Sequence, residues 1–316
     1  MARALVTGAA GFVGSHLCEA LAARGDDVLG VDGFTPYYDR AIKDANAAVV
    51  RAAGVELVEA DLRDVDIRAL LDRVDVVYHQ AGQPGVRLSW SEGFGEYVEH
   101  NVLVTQRLLE AVRDSGVARF VSASSSSVYG NQARYPTHES DLPAPFSPYG
   151  VTKLAAEHLC SLYATNWRVP TVSLRYFTVY GPRQRPDMAI HRLCEAVLGR
   201  ATFLRYGDGS AVREFTYVDD IVAGNLAAAE ADVAPGVYLN LAGGAEIRVD
   251  ELIALVEEIS GGRVPIEPLE PMPGDSHRNG GAIDRARALL GWEPRVALRA
   301  GIAAQLAWHQ AQHLHT

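Results

Sequence analysis

Three glycines, Gly8, Gly11 and Gly14 within "LVTGAAGFVGSHLCEAL", constrain this chain more than any other stretch of it. "RALVTGAA" reads as a short strand, and "FVGSHLCEALAAR" places Val13, Leu17, Ala20 and Leu21 on one helical face. "DDVLGVD" follows as a second apolar run closed by an acid, which completes a βαβ unit. In that setting glycine permits a tight turn and lets backbone N–H groups approach a pyrophosphate at the positive end of a helix. Any βα turn with positive φ also uses glycine. Asp32 favours the ligand reading, because it ends the second strand 18 residues after Gly14. A carboxylate there accepts hydrogen bonds from an adenosine ribose and repels a 2′-phosphate, which points to NAD over NADP. Asp61, in "EADLRD" at the end of a third strand, is placed either to reach the adenine edge or to cap a helix.

The alternation recurs through "GVELVEAD", a helix near residues 64–73, "VDVVYHQAG", a helix over about 94–115, and "ARFVSASS". Nearly continuous apolar strands alternating with helices predict a parallel α/β sheet covered on both faces. The 316 residues allow one large unit or two joined domains. After about residue 170 the pattern loosens into Pro-, Gly- and charge-rich stretches such as "PRQRPDM" and "YGDGSAVREF", which are the composition of loops around a site. The end "HQAQHLHT" is expected to fray. Hydrophobic residues make up 48%, and no segment approaches the roughly 20 apolar residues of a membrane span, so no membrane partner is expected. The glycine-broken start does not read as a secretory segment, and a cytoplasmic location is expected. The net charge of -10 argues against nucleic acid as a partner. Cys18, Cys160 and Cys194 sit far apart within helical patterns and read as buried thiols, and no metal is expected.

"SPYGVTK" places Tyr149 and Lys153 four residues apart, on one face of a helix. A free tyrosine has a pKa of about 10, and bringing it three units lower takes roughly 4 kcal/mol from a neighbouring cation and an oxidised nicotinamide. The sequence reading gives this task to the Lys153 ammonium. Upstream, "VSASSSSVYG" is either a flexible polar loop or a set of hydroxyls aimed at a sugar from a strand end.

The Gly-x-x-Gly-x-x-Gly spacing resembles the short-chain dehydrogenase/reductase superfamily. Together with "DLRD", "HQAG", "SSSSVYG", "SPYGVTK", "REFTYVDDIV" and "LGWEP", it makes the chain similar over its full length to extended members acting on nucleotide sugars. That resemblance implies a Rossmann-like doubly wound parallel sheet with a smaller, mostly C-terminal α/β substrate domain. Its boundaries are expected at residues 1–170 plus about 214–240 for the NAD-binding domain, and about 171–213 plus 241–316 for the nucleotide-sugar domain. It implies Tyr149 and Lys153 as the catalytic pair, assisted by Ser125 or its neighbour Ser126. NAD is then a resident cofactor held by Gly8, Gly11, Phe12, Val13, Asp32, Asp61, Leu62, Gln80, Ala81, Tyr149 and Lys153. Family members pair their 94–115 and 147–167 helices into a four-helix interface, so a homodimer is expected.

Related dehydratases place Asp-Glu just before "VYG", and related decarboxylases a Glu; here those positions hold Ser126 and Ser127. Without a carboxylate to act as general acid or base, both reactions lose ground to 4-epimerisation through a transient 4-keto sugar. "FTVYGPRQRPDMA", "QPGVR" and "FTPYYD" resemble the UDP-glucuronate 4-epimerase group, which implies an isomerase converting UDP-glucuronate to UDP-galacturonate. The alternatives are a UDP-glucose/UDP-galactose 4-epimerase and, less favoured, a UDP-glucuronate decarboxylase, a net dehydrogenase or a non-catalytic NAD sensor. An acidic protein needs local cations for such a substrate, and Arg87, Arg183, Arg185, Arg192, Arg213 and Arg278 lie in segments expected around it. Ser127 and Thr178 join Arg87, Arg185, Arg192, Arg213 and Arg278 as expected substrate contacts. UDP-galactose 4-epimerases have Asn at Thr178 and Arg near Met272, and this chain departs from both. Oxidation at C4 of a glucuronate makes a β-keto acid, so the serines, Thr178 or an arginine must hold the carboxylate out of alignment with the carbonyl.

His79, His191, Trp90 and Tyr97 read as packing residues. Asp219-Asp220 read as a helix N-cap.

Overall fold

The computed structural model describes residues 2–271, 274 and 276–312. The last four residues of the terminus expected to fray, and Met272 in the turn where the family pattern departs, lie outside the described residues. Seven strands form one parallel sheet: β1 (Arg3–Thr7), β2 (Asp27–Asp32), β3 (Glu56–Glu59), β4 (Val76–His79), β5 (Arg119–Ser125), β6 (Thr171–Tyr176) and β10 (Val237–Leu241). Their order, β10-β6-β5-β4-β1-β2-β3, runs in opposite directions on either side of β1 and β4. Strand direction is uniform throughout, with registers such as Val6↔Gly30 and Val6↔Tyr78. Leu5, Val6, Val31, Val77, Phe120, Val121, Val172, Leu174 and Leu239 are fully buried, as strands covered on both faces require.

One covering layer holds the helices Phe12–Ala23, Arg40–Ala52 and Val218–Glu230, and the other holds Val104–Arg113 and Pro148–Trp167. On the first helix Leu17 and Leu21 are buried as the sequence predicts, joined by Phe12 and Cys18, while Val13 and Ala20 are half-buried. The helix Arg40–Ala52 has no counterpart in the sequence reading. Val50 is its one large buried aliphatic, and Asp39 starts it by accepting from Ala41 N–H. The helix expected over 64–73 is a single turn, Ile67–Leu70, capped by Asp66. The helix expected over 94–115 exists, but Val98–Leu103 winds as a π-helix that buries Asn101.

The strands that leave the large sheet build two smaller ones. β7 (Thr178–Tyr180), β9 (Val212–Tyr217) and β11 (Glu246–Arg248) run in the order β11-β9-β7, and β8 (Phe203–Tyr206) pairs in parallel with β12 (Ile266–Leu269). Three helices, Ala189–Val197, Val249–Ser260 and Leu298–Gln312, pack on one another beside them. The expected Asp219-Asp220 cap is corrected here. Tyr217 occupies the N-cap with no side-chain bond, and the buried Asp220 carboxylate instead accepts from the backbone of Arg295 (3.0 Å) and Val296 (3.1 Å), which fastens the chain just after "LGWEP". Cys18, Cys160 and Cys194 are buried free thiols. Among the described residues no helix is long and apolar enough to cross a membrane.

Candidate active site

The reversal of strand order between β1 and β4 leaves a crevice at the carboxyl ends of the strands, the position where open α/β sheets bind ligands. Gly8 turns there with φ +71°, and a Cβ on it would lie 2.8 Å from Ala81 N. Gly11 caps the following helix without a side chain, so the first-turn N–H groups of Phe12 and Val13 lie along the cleft wall. This glycine cradle and bare helix N-terminus fit a dinucleotide pyrophosphate. Asp32 ends β2 at the same wall. Its carboxylate accepts from Ala10 N–H (3.1 Å), Phe34 N–H (2.8 Å) and the Lys43 ammonium (3.0 Å). Asp61, Leu62, Gln80 and Ala81 complete this end. Asp61 does not cap a helix: it accepts from the Arg63 backbone and guanidinium, and these bonds outweigh burial and hold its carboxyl below the ordinary value.

Ser147 caps the helix Pro148–Trp167 by accepting from Gly150 N–H (3.1 Å), and Pro148 pre-sets the first turn. That start fixes Tyr149 and Lys153 on the cleft wall. Burial pushes the Tyr149 phenol above its ordinary value, while a hydrogen bond with Ser125 and the charge of Arg185 pull against it. The Ser125 hydrogen bond and the Arg185 charge thus act on the phenol in the direction that the sequence reading assigns to Lys153 and the oxidised nicotinamide. The Lys153 ammonium donates to the Ala123 carbonyl at 3.0 Å, and burial, with Arg185 adding to it, brings its pKa down to about 8. Tyr97 stacks edge-on to Tyr149 with centroids 6.1 Å apart, and its hydroxyl donates to the carbonyls of Pro84 and Gly85 at 2.8 Å. It is a packing residue, as expected, and also ties the "QPG" loop to the site.

Of the serine run, Ser124 is committed elsewhere, donating to Glu157 (2.8 Å) beside the buried Glu157–Arg175 pair. Ser125 accepts from Ser127 N–H (3.1 Å), and Ser125, Ser126, Ser127 and Thr178 all line the cleft. Asn279, which sequence reading missed, also lines it: its amide donates to Thr178 Oγ1 (3.4 Å), and its carbonyl oxygen accepts from Glu214 N–H (2.7 Å).

The ring of arginines contracts. Arg185 and Arg213 line the cleft, and Arg185 is held in a bidentate pair by Asp187 (3.0 and 3.1 Å). Arg87 lies over the Tyr206 ring at 3.8 Å, Arg192 over Phe203 at 5.7 Å, and Arg278 pairs with Glu246 at 2.5 Å; none of the three is a lining residue. Arg183 turns away to Glu19 and His16 on the first helix. Each is drawn off by an acid, a histidine or an aromatic ring remote in sequence, which spacing does not reveal. His79 packs as expected between the hydroxyls of Thr7 (2.8 Å) and Thr105 (3.1 Å), where burial takes its pKa down to about 3. Trp90 remains partly exposed at the rim, beside Gly274.

Residues 4–242 match the model of the NAD dependent epimerase/dehydratase family. Among relatives, the chain is 39% identical over 306 residues to the uncharacterized UDP-glucose epimerase YtcB of Bacillus subtilis (strain 168), covering 96% of each chain. It is 35% identical over 338 residues to a probable UDP-glucuronate 4-epimerase of Rhizobium meliloti (strain 1021), covering 98% of each. Among solved structures it is similar to the UDP-glucuronic acid 4-epimerase from Bacillus cereus in complex with UDP-glucuronic acid and NAD. That likeness has 41% identity and a TM-score of 0.95, covering 98% of this chain and 100% of that one.

Proposed function

The chain belongs to the NAD-dependent epimerase/dehydratase family, and from that premise we propose that it catalyses the NAD-dependent 4-epimerisation of UDP-glucuronate to UDP-galacturonate. The observation that carries this reading is the cleft wall around Tyr149. It offers a phenol hydrogen-bonded to Ser125 and an arginine, Arg185, but only hydroxyls at Ser126 and Ser127, where elimination or decarboxylation calls for a carboxylate.

The turn at Gly8 and Gly11, the first-turn amides of Phe12 and Val13, and Asp32 hold NAD, with Asp61, Leu62, Gln80 and Ala81 along the adenosine and ribose path. When bound, NAD supplies the nicotinamide that takes and returns the C4 hydrogen as hydride. Tyr149 removes the proton of the sugar 4-hydroxyl and later restores it. Ser125 hydrogen-bonds the phenol and steadies it through both transfers. Lys153, anchored on the Ala123 carbonyl, positions the cofactor ribose and keeps positive charge behind the phenol. Arg185 and Arg213 meet the anionic groups of the substrate. Ser126, Ser127 and Thr178 hold the sugar carboxylate out of line with the C4 carbonyl, so that carbon dioxide is not lost.

Residues 1–170 plus about 214–240 serve the cofactor, and about 171–213 plus 241–316 the sugar nucleotide. A second copy of the chain covers the helices Val104–Arg113 and Pro148–Trp167. Exposed Val151 and Leu162 share one face of Pro148–Trp167, and Leu103 and Trp167 add apolar surface nearby. The three unpaired buried thiols support a reducing, cytoplasmic location.

The printed name of the Bacillus subtilis relative favours a second reading, a neutral UDP-hexose as substrate. Incubation with UDP-glucuronate and UDP-glucose separately, with the C4 configuration followed by NMR and released carbon dioxide recorded, tests both. The first reading requires UDP-galacturonate from UDP-glucuronate with little carbon dioxide. Turnover of UDP-glucose alone would replace it with the second.

A further inference from the structure

His191 and Glu195 stand four residues apart on the helix Ala189–Val197, so both project from one face, one turn apart. His309, on the helix Leu298–Gln312 packed against it, reaches the same place: one donor atom from each of the three lies within 4.8 Å of the other two. None of the three lines the NAD cleft. We propose that His191, Glu195 and His309 form a site for a divalent transition-metal ion, of which zinc is the best fit.

The hydrogen bonds arrange the rings for this. His191 donates from Nδ1 to the Gln184 carbonyl at 2.8 Å, which fixes the tautomer that leaves an Nε2 lone pair. The His309 side chain is 3% exposed and its Nδ1 meets Glu195 Oε1 at 2.7 Å, so Nδ1 is the ring nitrogen that shares an ion with the carboxylate. The rings meet edge to face with centroids 4.5 Å apart.

Two imidazoles and a carboxylate form a donor set that suits zinc, with a fourth position open to water. Tetrahedral zinc at about 2.0–2.1 Å from its ligands holds them about 3.3 Å apart, within side-chain adjustment of the present spacing. Arg200 reaches Glu195 Oε1 at 3.2 Å and remains a partner for the carboxylate oxygen that the metal does not take. The ion has a structural task. It fastens the C-terminal helix to the helix that leads out of the Arg185–Asp187 segment, where the Gln184 side chain already bonds Val179 O, His191 N and Gln305, each at 2.8 Å.

The test uses the full chain, stripped with chelator and titrated with Zn²⁺ by calorimetry. His313 and His315, outside the described residues, are replaced by alanine in a control that removes a competing terminal site. One zinc per chain is expected. Its affinity should fall at least tenfold in His191→Ala and in His309→Ala and hold in the control, and zinc should raise the melting temperature of the wild type but not of His191→Ala. Zinc-edge anomalous scattering from wild-type crystals reads the position directly, even if His309→Ala fails to fold. Absence of stoichiometric binding, affinity unchanged in both variants, affinity lost only in the control, or a scattering peak elsewhere would each overturn the site.

Discussion

The Lys43 ammonium lies 3.0 Å from Asp32 Oδ1, with both side chains at most 10% exposed. The carboxylate proposed to select NAD is therefore one half of a buried ion pair, and its lysine also lines the cleft. Replacing Asp32 by serine removes the repulsion of a 2′-phosphate and leaves the cation. Charge-assisted hydrogen bonds contribute about 1.5–3 kcal/mol, so Asp32→Ser should weaken NAD binding about 10- to 100-fold while NADP binding strengthens. Fluorescence titration with both nucleotides checks this. The unpaired lysine should also cost the cofactor-free protein about 3–5 kcal/mol in chemical denaturation.

In the proposed reaction Ser125 and Tyr149 act as one proton-handling unit, and their losses should differ in size. Tyr149→Phe should lower epimerisation by at least about 10³-fold without loss of NAD binding, because it deletes the group that carries the proton. Ser125→Ala leaves the phenol but removes one of the interactions that pull its pKa down, so a smaller fall should come with a shift of the pH–rate profile to higher pH. Both readouts come from NMR assays across pH. A Ser125→Ala profile that falls without moving would remove Ser125 from the unit.

Arg185 carries two effects that one substitution separates. As a cation on the cleft wall, it should favour the sugar acid over a neutral sugar, and Arg185→Leu should reduce the kcat/KM ratio of UDP-glucuronate to UDP-glucose about 10- to 100-fold. As a cation that lowers the Tyr149 pKa, its removal raises that pKa. A base works in its deprotonated form, so the activity that appears as the phenol ionises should begin at higher pH in Arg185→Leu. Steady-state kinetics with the two substrates over a pH range gives both numbers.

The parts of the site that depend on local spacing were legible before any coordinates. Gly8, Gly11 and Gly14 need only a strand before them and a helix after them, Asp32 needs only a strand end, and Tyr149 and Lys153 need only one helical turn between them. What was not legible depends on partners distant in the chain. Lys43 lies on a helix whose buried face sets Lys43 and Asn46 beside Ala47 and Val50, and nothing in that local spacing marks the lysine as a partner of Asp32. Asn279 becomes a cleft residue only because the strand Val212–Tyr217 passes beside it and Glu214 N–H bonds its carbonyl oxygen. Arg87, Arg192 and Arg278 read as substrate ligands by position, and in this structure they lie against Tyr206, Phe203 and Glu246 and do not line the cleft. Spacing locates the glycine turn and the Tyr-Lys pair, but the direction of a long cationic side chain is decided by whichever anion or ring the tertiary fold brings near it.

Glu214, next to Arg213 and bonded to Asn279, predicts how the sugar side of the cleft responds to pH. Burial is the largest influence and raises its carboxyl to about 7, against the backbone hydrogen bonds from Gly281 (2.7 Å) and Gly244 (2.6 Å). An unfolded glutamate titrates near 4.3, so between that value and about 7 the folded state binds more protons than the unfolded state. The stabilisation from the protonated group is present in full below the unfolded pKa and is lost as pH rises through about 7. The difference corresponds to about 4 kcal/mol. Other carboxylates with depressed pKa act in the opposite direction, so the informative quantity is wild type minus Glu214→Gln, not the wild type alone. Denaturation at pH 5.5 and 8 should show the wild type losing stability relative to Glu214→Gln across that interval. If the two curves stay parallel, the carboxyl ionises freely in the folded protein, and the loop carrying Asn279 is held without it.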